Sequence, residues 1–147
     1  DVIRTGTVLD AKPTSFLIGN IFFNKAPLHD GAVIFREGRV HAAGCFLPLS
    51  DNNEIVKDLG TRHRAGIGMS ENSDAIVLIV SEETGIISVA CDGVLKRGFS
   101  RKKLETYLEA QLIVKENSLK SKVKKRLTSI TKKKKGDENN EQEHKPP

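Results

Sequence analysis

Hydrophobic positions along the chain fall into short runs punctuated by turn residues. Phe16, Leu17, Ile18, Ile21, Phe22 and Phe23 cover most of a helical surface, which predicts a short buried helix capped by Thr14 or Ser15 and ended before Pro27. Ala32 to Phe35 and Val40 to Leu47, separated by Glu37-Gly38, read as a β-hairpin whose second strand stops at Pro48. Residues 50–58 are polar and loop-like, and Arg62 to about Glu71 reads as a helix with Thr61 as its N-cap. Asp74 to Ser81 carries a continuous Ile/Val/Leu run, the pattern of a strand covered on both faces and hence flanked by helices. Glu82-Glu83-Thr84-Gly85 predicts a tight turn into a strand over Ile86 to Ala90, and Asp92-Gly93 marks a further turn. From Ser100 the period lengthens, and Leu104, Tyr107, Leu108 and Leu112 mark an amphipathic helix expected to pack on the sheet. Leu119, Val123, Leu127 and Ile130 continue a thin apolar stripe before the lysine run Lys132 to Lys135, and the last dozen residues have the composition of a disordered end.

This is an α/β pattern, and 147 residues is one domain's worth of chain. The longest apolar run, Ala75 to Val80, is far short of the roughly 20 residues that cross a bilayer. No apolar segment follows a basic start as in a secretory signal. The first residue is Asp1 and the only methionine is Met69, which suggests a fragment or processed product. Cys45 and Cys91 each lie in a strand-like apolar context, as reduced buried thiols do.

The formal net charge of +5 suggests an acidic partner until it is partitioned. Residues 1–114 carry a net −1, residues 115–135 carry +9 and residues 136–147 carry −3. A near-neutral domain therefore bears a basic segment and an acidic end.

Three segments carry candidate chemistry. In Pro27-Leu28-His29-Asp30-Gly31-Ala32, a carboxylate stands at the mouth of an apolar strand, where it could address a hydroxyl or a metal, and Gly31 would admit a ligand close to the backbone. Asp-Gly is equally a common turn dipeptide. In Gly60-Thr61-Arg62-His63-Arg64, two guanidinium groups at a helix N-terminus suit a phosphate, although these are also ordinary surface residues. His63, between two cations, should have a lowered pKa and make a poor acid; a structural role suits it as well. Ser81-Glu82-Glu83 follows the apolar strand; the carboxylates are either solvated or, if they close on the same cleft, able to act through a divalent cation. No Walker loop, zinc-type Cys/His spacing, Gly-x-Ser-x-Gly elbow or Rossmann fingerprint is present, which removes most support for hydrolase and dehydrogenase readings.

The two segments Leu28-His29-Asp30-Gly31-Ala32-Val33-Ile34 and Leu59-Gly60-Thr61-Arg62-His63-Arg64-Ala65, in this order about thirty residues apart, closely resemble the diadenylate cyclase domain. Cys45-Phe46-Leu47-Pro48-Leu49-Ser50 and Val80-Ser81-Glu82-Glu83-Thr84-Gly85 also fit, so the resemblance covers residues 1–114 and leaves 115–147 as a tail. It is strongest to the family's membrane-anchored type, with transmembrane helices upstream of a cytoplasmic catalytic domain.

The resemblance implies a central mixed β-sheet flanked by helices, and a nucleotidyltransferase that condenses two ATP into cyclic di-AMP with release of two pyrophosphates. Asp30 matches the aspartate beside the ribose 3′-hydroxyl, and Gly31 and Ala32 belong to the same motif. Thr61, Arg62, His63 and Arg64 match the phosphate-binding segment, and Ser81 and Glu83 match polar contacts near phosphate and metal. Leu47 matches a residue of the adenine pocket; Phe46 stands where a tyrosine is usual, keeping the ring without the hydroxyl. His29 matches a possible ligand for Mn²⁺, Mg²⁺ or Co²⁺. The first helix and strand of the family domain are expected to be missing before Asp1, which would make the fragment less stable or less active. Joining two ATP molecules requires paired sites, so a homodimer or higher oligomer is implied.

Two other classes remain at this point: a nucleotide sensor with the same pocket and no turnover, and a basic tail binding nucleic acid or an anionic membrane. The tail lacks interleaved aromatic residues, so no specific nucleic acid is expected, and its apolar stripe among lysines favours a membrane surface.

Overall fold

In the computed structural model, residues 2–52 and 59–113 are described. The chain divides into two units, Asp1–Phe99 and Ser100–Pro147. The first begins with a 3₁₀ turn, Val2–Thr5, followed by β1 (Thr7–Ala11), α1 (Ser15–Ile21), β2 (Ala32–Arg36), β3 (Arg39–Cys45), α2 (Thr61–Glu71), β4 (Val77–Val80), β5 (Ile87–Cys91) and β6 (Val94–Arg97). Of the second unit, the described part is a helix, α3, over 101–113. The predicted loop is described only to residue 52; residues 53–58 and the tail, with its expected helical stripe and disordered end, lie outside the described residues.

The α/β class holds, but the strands form two three-stranded antiparallel sheets, ordered β1-β3-β2 and β4-β5-β6, rather than one mixed sheet. Local turn chemistry explains this. Glu37 and Gly38 have φ of 53° and 72°, and Asp92 and Gly93 have φ of 50° and 75°. Two consecutive positive φ values make the tight turn that matches strand twist and sends the chain straight back, so β2–β3 and β5–β6 are hairpins.

Two strands were not anticipated from the pattern. In β1 the register with β3 shifts between Val8 and Ala11, where Asp10 has a φ of 45°, and Arg39 clamps the bulge by binding both the Asp10 carboxylate and its carbonyl. β6 holds two apolar residues followed by two basic ones, too short a run to show a period.

Each sheet has its own apolar core. Ile21, Val40 and Ala43 pack with Leu9, Leu17, Ile18, Leu28 and Val33 between α1 and the first sheet. Ile67, Ile79 and Ala90 pack with Leu59, Val77 and Leu95 between α2 and the second. Two burial expectations fail here. In α1, capped by the Thr14 hydroxyl as expected, only Ile21 is buried, and Phe16, Phe22 and Phe23 stay exposed because one stripe of the helix meets the sheet. β4 is an edge strand with α2 against one face, so Leu78 and Val80 remain about half exposed.

The two halves of the unit meet along the exit from β3. Gly68 of α2 lies so close to the main chain of Pro48, Leu49 and Ser50 that a Cβ there would sit 2.4–2.6 Å from those backbone atoms. The Ser50 amide donates to the Arg64 carbonyl at 3.0 Å, and the Ser50 hydroxyl donates to the Glu71 carboxylate at 2.8 Å. Cys45 and Cys91 are buried thiols outside any disulfide, as expected, and burial pushes the Cys45 thiol above its ordinary pKa.

Candidate functional site

One end of the first sheet presents the Asp30 segment. The chain leaves α1 through tight turns, in which the His29 amide and its ring Nδ1 both reach the Ala26 carbonyl, the ring at 2.6 Å. Gly31 follows with a φ of 114°, and a Cβ there would lie 2.7 Å from the carbonyl carbon of Gly44. Only glycine satisfies both the conformation and the contact. Asp30 is thereby held, exposed, where β2 begins, and Ala32 pairs with Cys45 in the sheet. Among the described residues Asp30 makes no hydrogen bond or ion pair, so its carboxylate is available to a ligand. The next residue after β3, Phe46, is anchored by its amide to the Thr5 hydroxyl at 2.8 Å while its ring is 66% exposed; Leu47 beside it is half-buried. A ring held by its backbone and open to solvent can stack on a flat base.

The N-terminus of α2 forms the second part. Gly60 is the N-cap, with no side-chain cap, and Thr61 is the first helical residue rather than the cap. Glycine serves because its extended backbone lets its carbonyl accept from the His63 and Arg64 amides at 3.0 and 3.2 Å. Arg62 pairs with Glu82 at 2.5 Å, bringing the β4–β5 turn onto the helix end. Among the described residues, Arg64 Nε is buried without a hydrogen-bond partner. His63 is buried, with Nε2 3.3 Å from the Ser88 hydroxyl. Its pKa is lowered, as expected, but chiefly by burial and then by Arg97 rather than by its sequence neighbours. The imidazole is therefore neutral and props the helix on β5.

In the turn, the Ser81 hydroxyl accepts from the Thr84 amide at 3.3 Å, and the Ser81 amide donates to the Ile86 carbonyl at 3.0 Å. Glu83 is exposed and makes no ion pair among the described residues, whereas Glu82, which the resemblance did not single out, carries the contact to Arg62.

The two parts are tied by Cys45 to Ser50, which runs from the Gly31 contact to the Arg64 carbonyl. Five residue steps reach at most about 18 Å.

The family described as DisA bacterial checkpoint controller nucleotide-binding matches residues 1–95. The chain belongs to this family. Cyclic di-AMP synthase CdaA of Bacillus subtilis (strain 168) is 51% identical over 111 residues, covering 76% of this chain and 41% of that protein. A double mutant of DacA from Staphylococcus aureus is similar in structure, with a TM-score of 0.72 and 48% identity over 76% of this chain and 74% of that one. The hypothetical membrane spanning protein from Bacillus cereus matches with a TM-score of 0.63 and 48% identity over 65% of this chain and 47% of that one. The chain spans about two fifths of the length of the curated relative.

For a domain of this nucleotide-binding family, the question of a metal turns on the donor set. No group of three His, Cys, Asp or Glu side chains gathers among the described residues, so a closed structural site is not formed there. A substrate-borne Mg²⁺ or Mn²⁺ needs only one or two protein ligands beside phosphate oxygens. The bond from His29 Nδ1 to the Ala26 carbonyl leaves Nε2 as the nitrogen with the lone pair, the tautomer a metal requires. The residues fit such an ion. No helix among the described residues is long and apolar enough to cross a membrane.

Proposed function

We propose that residues 1–114 act as the catalytic domain of a diadenylate cyclase, with 115–147 as an appended tail, and that two copies face each other to join two ATP molecules. The observation that carries this reading is the clustering of Arg62, its Glu82 contact and the unsatisfied Arg64 Nε at one helix end. In each half-reaction the 3′-oxygen of one ATP forms a bond to the α-phosphorus of the other, and the bond from that phosphorus to the bridging oxygen of the departing pyrophosphate breaks. Asp30 accepts the hydroxyl proton, Arg62 and Arg64 neutralise phosphate charge, and Phe46 and Leu47 hold adenine. Ser81 and Glu83 border the phosphates. A divalent ion, held by His29 together with phosphate oxygens, would add charge neutralisation at the leaving group. One domain positions one ATP, so the second copy completes the reaction. The membrane-spanning protein that this chain resembles supports placement of the domain at a membrane, and we take its side to be the cytoplasmic one, where ATP is made.

The test is incubation of the full chain with ATP and Mn²⁺ and chromatography of the products. Cyclic di-AMP and pyrophosphate are expected, with a loss on the order of a hundredfold or more in Asp30→Asn. Undiminished synthesis in that variant removes Asp30 from its role. ATP binding without product assigns the chain to a sensor instead.

A further inference from the structure

Arg97 closes β6 and stands directly opposite Ser88 on β5, which stands opposite Ile79 on β4. Residues opposite one another across antiparallel strands share a face. Ile79, Ser88 and Arg97 thus form one row beneath α2, whose Gly66 approaches Ile79 and whose His63 reaches Ser88. Chain direction puts that row at a particular end of the sheet. β4 leaves at Val80 into the Ser81–Glu82 turn, β5 enters at Ile87, and α2 starts above them, joined to the turn through Arg62 and Glu82. β6 ends at this same edge. Arg97 is exposed and makes no hydrogen bond or ion pair among the described residues. Its charge is nonetheless felt at the buried His63 ring.

The charges at this end do not balance. Arg62 is answered by Glu82, while among the described residues neither Arg64 nor Arg97 has a carboxylate partner. Arg64 at the α2 N-terminus and Arg97 at the sheet end beneath it thus leave an excess of positive charge at one end of the unit, to which a polyvalent anion would be drawn. We propose that Arg97 is a third guanidinium of the phosphate site, taking an oxygen of the ATP polyphosphate alongside Arg62 and Arg64. This rests on reading the α2 N-terminus as the phosphate segment. Its fork geometry suits a polyphosphate oxygen pair, and its place at a strand end fixes its backbone through the Gly98 and Phe99 amides, which both donate to the Ile87 carbonyl at 3.0 and 3.1 Å.

The test is calorimetric titration of the full chain with ATP and with inorganic pyrophosphate, over a salt series, for the wild type, Arg97→Gln, Arg97→Lys and Arg62→Gln. Arg97→Gln should weaken both ligands about five- to tenfold and flatten the salt dependence, with Arg97→Lys in between and the unfolding midpoint unchanged. A purely structural role would not move the salt slope. Wild-type affinity and salt slope in Arg97→Gln, with Arg62→Gln impaired, overturn the Arg97 proposal alone. Wild-type affinity in both Arg62→Gln and Arg97→Gln overturns the phosphate segment itself. Should Arg97→Gln fail to fold, Arg97→Lys decides: an unchanged affinity for pyrophosphate and an unchanged response to salt, when Arg62→Gln is impaired, count against a forked contact.

Discussion

Helix α1 is built from Ser-Phe-Leu-Ile-Gly-Asn-Ile and buries one residue, whereas α2, Thr-Arg-His-Arg-Ala-Gly-Ile-Gly-Met-Ser-Glu, buries five: His63, Gly66, Ile67, Gly68 and Ser70. Hydropathy ranks them the other way. The difference lies in how closely the helix backbone approaches its surroundings. α1 rests on its sheet through Leu17, Ile18 and Ile21, while Phe16 within it and Phe22 and Phe23 just after it stay exposed. α2 is drawn onto the second sheet and the β3 exit because two glycines remove the Cβ atoms that would hold them off. Its polar residues are then satisfied in place: His63 on Ser88, the Ser70 hydroxyl to the Ile67 carbonyl, and the Gly93 amide to Ser70. The helix that looks least like a core element is the one the proposed phosphate site depends on.

Glycine substitution should break that contrast most sharply. Gly68→Ala forces a Cβ into the Pro48–Ser50 main chain and is expected to lower stability by about 3 kcal/mol or more, read from denaturant unfolding. A change under about 0.5 kcal/mol would mean that the helix does not sit this close. A smaller effect of opposite significance concerns pH. His63 has a lowered pKa in the folded state, so below its ordinary value of 6.5 the unfolded chain takes up a proton that the native ring refuses. Stability should be fully present above pH 6.5 and decline as pH falls through it. An unfolding series from pH 7.5 to 5 should show that slope, and His63→Gln should flatten it; an identical slope in the variant would assign it to other groups. The smallest expected effect is on α1. Gly19 has open space where a Cβ would go, so Gly19→Ala should raise stability by about 0.5–1 kcal/mol. The same substitution would then have opposite signs in the two helices.

Much of this arrangement was legible beforehand. Glu37-Gly38 and Asp92-Gly93 announced their turns because few residues tolerate consecutive positive φ, and Thr14 announced its helix because the hydroxyl cap is a local bond. The Asp30 and Arg62 segments were found by motif, and family membership agrees with that reading. What escaped was non-local. β1 has exposed apolar positions and a bulge, so it shows no clean alternation. β6 holds four residues and was lost behind its turn, and with it Arg97. The choice of Glu82 over Glu83 as the partner of Arg62 depends on how the turn meets the helix.

From the sequence alone came the elements whose causes lie within a few residues of chain: hairpin turns, a capped helix, and the motif order that marks the nucleotide-binding family. The tertiary structure alone decided which faces are buried, why His63 is neutral and which charges near the α2 N-terminus have no partner among the described residues. Those properties arise from contacts such as Gly68 with Pro48, His63 with Ser88 and Arg62 with Glu82. Each joins residues about twenty or more positions apart, and desolvation and Coulomb energy depend on distance through space rather than along the chain.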